Sequence, residues 1–293
     1  MSVPAAYLGV ILIWSTTPLT IKWSGDEGGV LFALLSRMVI GVIACLPLLY
    51  LLRVRMRWDR EALYAYLVSG LGVFSTMSTV YWGAQYVSSG LLSLLYGLSP
   101  VVIALISAAF VGSTFSSRQM AGIVVAFSGL LVIFGGGAEL GSNALLGVSF
   151  VLLSVLFYSI SAVWLKRVQK QMAAMAVNFG GLLFALPLFT VSWLLFEDGV
   201  IYPLSERALW STLYLGIFGT AFGFTLYYYV LKRIDATLAG MITQITPVVA
   251  LILGALLNGE MIANEVAAGA VLILSGVGLF QLRAKKRMQR EAG

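Results

Sequence analysis

Ten apolar runs, each long enough to cross a bilayer as a helix, follow one another along this 293-residue chain with only short polar breaks. About 20 apolar residues in helix cover the roughly 30 Å of a hydrocarbon core. The pattern predicts helices over 4–23, 29–52, 63–85, 88–112, 118–136, 145–166, 173–196, 208–231, 236–258 and 264–283. No alternating strand pattern, soluble segment or low-complexity tract stands between them. The expected fold class is an all-α polytopic membrane protein with ten transmembrane helices.

The pattern also repeats. Ser99-Pro100-Val101-Val102 in the fourth run returns as Thr246-Pro247-Val248-Val249 in the ninth, 147 residues later. The same offset pairs Tyr81 with Tyr228, Gly112 with Gly259, Ala121-Gly122 with Ala268-Gly269, and Ser128-Gly129 with Ser275-Gly276. With shifted offsets, Leu46-Pro47-Leu48 matches Leu186-Pro187-Leu188, and Trp14-Ser15 resembles Tyr158-Ser159. The chain therefore divides into two five-helix repeats, 1–138 and 139–293.

Composition agrees: 60% of residues are hydrophobic, 10% are charged and the mean hydropathy is +0.97. Soluble domains carry about a quarter charged residues. Charge then sets the topology. With both termini inside, Arg53, Arg55, Arg57, Arg60, Arg118, Lys166, Arg167, Lys170, Lys232, Arg233 and the tail Arg283, Lys285, Lys286, Arg287 and Arg290 all fall inside. Outer segments hold Asp26, Glu27, Glu139, Glu197, Asp198, Glu206, Glu260 and Glu265. This is the positive-inside asymmetry, and a nine- or eleven-span reading would scramble it. The net charge of +6 is thus a topology signal, not a nucleic-acid grip. Five spans per half is an odd number, so the second repeat is inverted. Inside Arg118 pairs with outside Glu265, the sign change that inversion requires. Both termini are expected to be cytoplasmic, and no cleavable signal is read before the first span. Inverted repeats are a device of secondary transporters, with the site near the midplane where the halves meet.

On these features the chain resembles the ten-helix EamA branch of the drug/metabolite transporter superfamily. The likeness rests on Ile13-Trp14-Ser15 in the first helix, Arg37 early in the second, and the prolines of the fourth and ninth. It rests too on Gly83-Ala84-Gln85-Tyr86-Val87-Ser88-Ser89-Gly90 at the third-to-fourth junction and on Gly259-Glu260 ending the ninth helix. The overall pattern is most similar to amino-acid exporters of the YddG type. The fourth helix ends Gly112-Ser113 where the family often has Gly-Glu, which puts any acid role there in doubt. The resemblance implies a carrier of the bacterial inner membrane that moves small metabolites, often outward, through a central cavity lined by the first four helices of each half.

Candidate substrate-binding residues are the polar and aromatic side chains at membrane depth. They are Trp14, Ser15, Thr17, Tyr81, Gln85, Tyr96 and Ser99 from the first half, and Tyr158, Ser161, Trp164, Asn178, Tyr228, Gln244 and Thr246 from the second. Singly, a Tyr or Trp also serves as an interface anchor. Tyr96 and Gln244 stand about one turn before the paired prolines, near mid-span, where aromatic faces and amides would meet a solute. Arg37 is the one charge well inside a span; it reads either as a ligand for a substrate carboxylate or as an arginine that snorkels outward. Pro100 and Pro247 each remove a backbone hydrogen bond, which makes them hinges or fixed kinks. The glycines of the fifth and tenth helices read as packing supports, on the bundle or on a second copy.

The function expected is export of amino acids, aromatic or other neutral ones, or related metabolites by alternating access, as a monomer or homodimer. Multidrug efflux of amphipathic or cationic compounds is the alternative, although no buried carboxylate favours it. An intramembrane enzyme finds no His, no membrane-depth Asp pair and no nucleophile–base pair, so no metal or cofactor is implied. A receptor role lacks a soluble domain. Cys45, the one cysteine, reads as a small buried apolar residue. With no Asp or Glu placed deep in a span, the protonatable relay of a proton-driven carrier is missing. Facilitated diffusion or exchange is expected: in proteoliposomes an imposed pH jump should build no substrate gradient, and a gradient built without membrane leak would overturn this.

Overall fold

In hydrocarbon no water completes a backbone hydrogen bond, so each apolar run closes its own as a helix. The computed structural model describes residues 2–25, 29–111, 115–135, 143–168, 172–231, 233 and 236–282, with the backbone alone at 224, 228, 231 and 236–240. They form α1 (Val3–Gly25), α2 (Val30–Leu51), α3 (Arg60–Ala84), α4 (Ser89–Tyr96), α5 (Ser99–Val111), α6 (Ser117–Gly135), α7 (Ala144–Val168), α8 (Ala174–Phe196), α9 (Glu206–Tyr214), α10 (Gly223–Leu231), α11 (Ala236–Asn258) and α12 (Asn264–Gln281). A π-helical segment, Leu215–Phe222, joins α9 to α10. α4 with α5 makes one span, and α9, the π segment and α10 make another, so ten helical spans are long and apolar enough to cross a membrane. The chain is a ten-helix membrane protein.

Helix ends are closed by side chains. Ser88 accepts from Leu91 N–H (3.2 Å) and Ser205 from Ala208 N–H (3.2 Å). Asp59 caps α3 by accepting from Ala62 N–H (3.1 Å), while Arg57 Nε donates to its other oxygen (2.8 Å). The Arg57 hydrogen bond, then that of Ala62, holds the Asp59 carboxyl below its ordinary value. Its contribution is present at neutral pH and is lost as pH falls through that lowered value. α2 follows Gly29 and has no cap of its own. Glu197, just past α8, reaches over instead: Oε1 accepts from Leu31 N–H (2.9 Å) and Oε2 from Phe32 N–H (3.0 Å). A Cβ on Gly29 would stand 2.1 Å from Glu197 Oε2, so only glycine admits this cap.

The halves interlock. α3 packs on α7 and α8; α2 packs on α8 and the π segment; α1 packs on α9, α10 and α11. α6 and α12 pack against each other. Gly122, Gly129, Gly269 and Gly276 all lie in that crossing, where a Cβ on Gly276 would meet Ala126 N at 2.4 Å and Gly122 O at 2.6 Å. The two predicted supports are thus each other's partner, backbone to backbone, as lipid-embedded helices require. Outward-facing apolar side chains such as Leu131 and Val271 are left for lipid.

The prolines are not equivalent. α4 ends at Tyr96, and Leu98 N–H turns back to Leu95 O (3.1 Å) before α5 begins. Pro100 sits in the first turn of α5, where a missing N–H costs nothing. Pro247 lies inside α11, which runs unbroken past it. The sequence pattern pairs two kinks; the structure has one broken span and one continuous span, because glycine and proline stand together only at Gly97–Pro100.

Gly276→Leu should force α6 and α12 apart. A loss of at least about 1–3 kcal/mol, the usual cost of overpacking, is expected. Thermal unfolding in detergent measures it, with Leu131→Ala on the lipid side as the control that should change little.

Candidate functional site

α2 carries Arg37 one turn above Gly41, into the contact between the two halves. The residue is 4% exposed, so it does not snorkel. Its Nε donates to Thr220 Oγ1 (3.3 Å) and its Nη1 to Tyr81 OH (3.4 Å). The guanidinium also stands 5.8 Å from the Tyr81 ring centre, and Ser24 Oγ lies 3.5 Å from the Tyr81 hydroxyl. Among the described residues no carboxylate lies within ion-pair distance of Arg37. Among the described residues the guanidinium therefore rests on hydroxyls, in a buried setting where a full charge is costly to leave unpaired.

The π segment places Thr220. A π turn inserts an extra residue, shifts the helix face and is frequent at functional sites. Thr220 Oγ1 gives its hydrogen to Leu215 O, five residues back (3.0 Å), which leaves its lone pairs for Arg37. Asn178 Nδ2 holds the Thr220 carbonyl (3.2 Å). Close approach needs glycine on both sides. A Cβ on Gly41 would stand 2.8 Å from Thr220 Cγ2, and one on Gly216 would stand 2.5 Å from Ile40 Cγ2 and 3.0 Å from Arg37 O.

A second polar chain ties the broken span. Tyr96 OH hydrogen-bonds Ser154 Oγ, which donates to Thr76 O (2.8 Å). Thus α4, α7 and α3 meet where α4 ends. The Tyr96 ring stands 6.4 Å from that of Tyr158. Trp14 of α1 packs on Tyr227 of α10 at 4.6 Å between ring centres, in a separate apolar cluster with Val10 and Ile242.

The predicted site residues therefore divide. Arg37, Tyr81 and Asn178 gather around Thr220, and a Cβ on Gly219 would lie near both Arg37 Nη2 (3.5 Å) and Thr17 Oγ1 (3.8 Å). Thr17 donates to Ile13 O in its own helix (2.6 Å). Tyr96 and Tyr158 form the second group. Ser15 is fully buried, and among the described residues its Oγ has no hydrogen-bond partner. Ser99 and Thr246 are buried beside the prolines. Four candidates stand elsewhere. Gln85 caps the outer end of α3. Ser161 packs on Gly72 of α3. Trp164 is 44% exposed and donates to Tyr64 OH (3.1 Å) at the inner end. Gln244 turns to α12, where its Nε2 donates to Gln281 Oε1 (3.1 Å). The Tyr228 side chain lies outside the described residues.

Sequence reading missed Thr220, Ser154 and Thr16. Thr16 gives its hydrogen to Leu12 O (2.8 Å) and accepts from Tyr214 OH (2.7 Å), so α1 is pinned to α9. The available signal was Gly216, Gly219 and Gly223, which flank Thr220 closely within one span.

Ten spans with a buried cation where the halves meet make this a multi-pass membrane protein. Residues 3–135 and 145–281 match the EamA-like transporter family, and the chain belongs to that family. An uncharacterized transporter, YoaV of Bacillus subtilis, is 29% identical over 273 residues, covering 92% of this chain and 93% of the relative. A probable terminal-alkyne amino-acid exporter of Streptantibioticus cattleyicolor is 27% identical over 284 residues, covering 96% and 94%. One solved crystal structure, 21% identical, shares the fold with a TM-score of 0.67 over 100% of this chain and 99% of its own.

Thr220→Val keeps the shape but removes the acceptor for Arg37. It should destabilise the fold by about 1–3 kcal/mol, the cost of leaving a buried donor unmet. Thermal unfolding in detergent reads this. Thr190→Val, whose hydroxyl donates within its own helix to Leu186 O (2.9 Å), should change it far less.

Proposed function

We propose that this chain is a carrier of the bacterial inner membrane that exports amino acids, aromatic or other neutral ones, or related small metabolites. It works by alternating access, as a facilitator or exchanger. The observation that carries this reading is Arg37, a buried guanidinium held by hydroxyls with no carboxylate beside it among the described residues. A substrate carboxylate would complete it, since a guanidinium fork matches a carboxylate in a bidentate way. Tyr81 and Thr220 hold the fork in place. The rings of Tyr96 and Tyr158 would take the apolar side chain, and would attract the ammonium through their faces. The two units of exchange are the repeats 1–138 and 139–293. The amino-acid exporter among the relatives supports the substrate class. A fixed positive charge at the centre disfavours organic cations, and with them the drug-efflux alternative.

Counterflow in proteoliposomes against the twenty amino acids tests the reading. Uptake of one or more neutral amino acids is expected, and Arg37→Gln should lower it about ten- to a hundredfold, the worth of a hydrogen bond to a charged group. Arg37→Gln should also narrow the preference for an amino acid over its decarboxylated amine. Equal transport of acid and amine by the wild-type protein would overturn the assignment.

A further inference from the structure

The outer ends of the bundle are tied by a carboxylate that the transport site does not use. Gly259 has φ +62°, a left-handed conformation that suits glycine. It turns the chain after α11 and folds Glu260 back, with Glu260 N–H on Gly254 O (3.1 Å). The carboxylate lands on the N-terminus of α4. Its Oε1 accepts from Ser89 N–H (3.1 Å), and Oε2 accepts from the Ser89 hydroxyl (2.8 Å) and Gly90 N–H (3.4 Å). The first N–H groups of a helix have no partner inside it and carry the positive end of its dipole, so an anion there makes charge-assisted bonds.

The contact is part of a wider network. Asn258 Nδ2 donates to Glu260 Oε1 (3.0 Å), and Asn258 Oδ1 accepts from the Trp23 indole (2.8 Å). Arg207 lies over the Trp23 ring at 5.7 Å. Helices α1, α4, α9 and α11, from both halves, are thus joined at one face. Beneath it α4 and α11 touch closely. A Cβ on Gly254 would stand 2.4 Å from Glu260 Oε2, and one on Gly90 would stand 2.5 Å from Leu251 Cδ2. Past Gly97, whose Cβ would lie 3.4 Å from Pro247, the spans part. α5 packs on α7 instead, and residues 102–108 are half-exposed. The interface is shut outside and parted inside. In the inverted pairing of the sequence Ser113 answers to Glu260 and Ala236 to Ser89, so neither the Glu260 carboxylate nor the Ser89 hydroxyl is repeated at its matched position.

We propose that Glu260 is the latch of the outer gate: its bonds to the N-terminus of α4 keep the carrier closed to the outside, and outward opening requires their release. This rests on the alternating-access part of the proposed function, not on the choice of substrate. Glu260 is a positioning residue, acting through α4.

The test reads gate position without any substrate. Leu251→Cys is made in a Cys45→Ser background, which removes the one native cysteine, and right-side-out vesicles are treated with a membrane-impermeant maleimide. The parent should label slowly. Glu260→Gln should label at least about tenfold faster, as expected for losing charge-assisted bonds, and Ser89→Ala, which keeps the N–H donors, should fall between. Labelling of Glu260→Gln at the parent rate, with equal protein in the membrane, overturns the latch. Should Glu260→Gln fail to accumulate, Glu260→Asp, one methylene short of α4, decides by the same criterion. Faster labelling with no amino-acid counterflow would keep the latch and remove the substrate assignment; unchanged labelling with normal counterflow would do the reverse.

Discussion

Every backbone N–H and C=O at membrane depth must find its partner within the protein, because the hydrocarbon around it offers none. The rest of the structure follows from that demand. Most of the chain meets it with unbroken helix. Where helix is interrupted, side chains or neighbouring segments take over the freed groups, and those places coincide with the candidate machinery. The π segment lends Leu215 O to Thr220, which then faces Arg37. The end of α4 sets Tyr96 onto Ser154 and Thr76. The outer ends of α2 and α4 take their anions from Glu197 and Glu260 of the other half.

A second consequence is that polar contacts, not apolar burial, tell one helix from another here. Lipid is as apolar as leucine, so packing two leucine faces brings little that lipid would not. Specific meetings depend on glycine, which lets backbones touch, and on hydrogen bonds across the gap. The α6–α12 crossing sets glycines against Ala126, Ile133, Ile273 and Phe280, and it reads as a fixed brace. The interface of α2 with the π segment uses glycine and a buried charge together. The latter arrangement keeps a full charge out of water between the halves, which is the basis of the substrate-carboxylate proposal.

Much of the architecture was legible along the chain. Span number follows from run length, orientation from the basic loops, and duplication from Pro100 and Pro247 with their neighbours. These are one-dimensional properties, set by the thickness of the bilayer and the charge asymmetry across it. Arg37 was also visible, since a charge inside an apolar run needs a reason. The repeat misled in one respect. It implied matched kinks, whereas span 4 breaks and span 9 does not, because Gly97 and Leu98 form a turn ahead of Pro100.

Which side chains converge was not legible. Gln244 looked like a lining residue and turns instead to Gln281, while Trp164 sits at the inner end with Tyr64. Thr220 looked like one threonine among many and becomes the partner of Arg37, because a π turn rotates it towards α2. Helical periodicity predicts a face only while the period holds, and a π insertion changes it without any single residue type announcing the change. Run lengths, loop charges and internal repetition thus belong to the chain read end to end, while the pairing of Arg37 with Thr220 and of Glu260 with α4 depends on three-dimensional crossings between residues 183 and 171 positions apart.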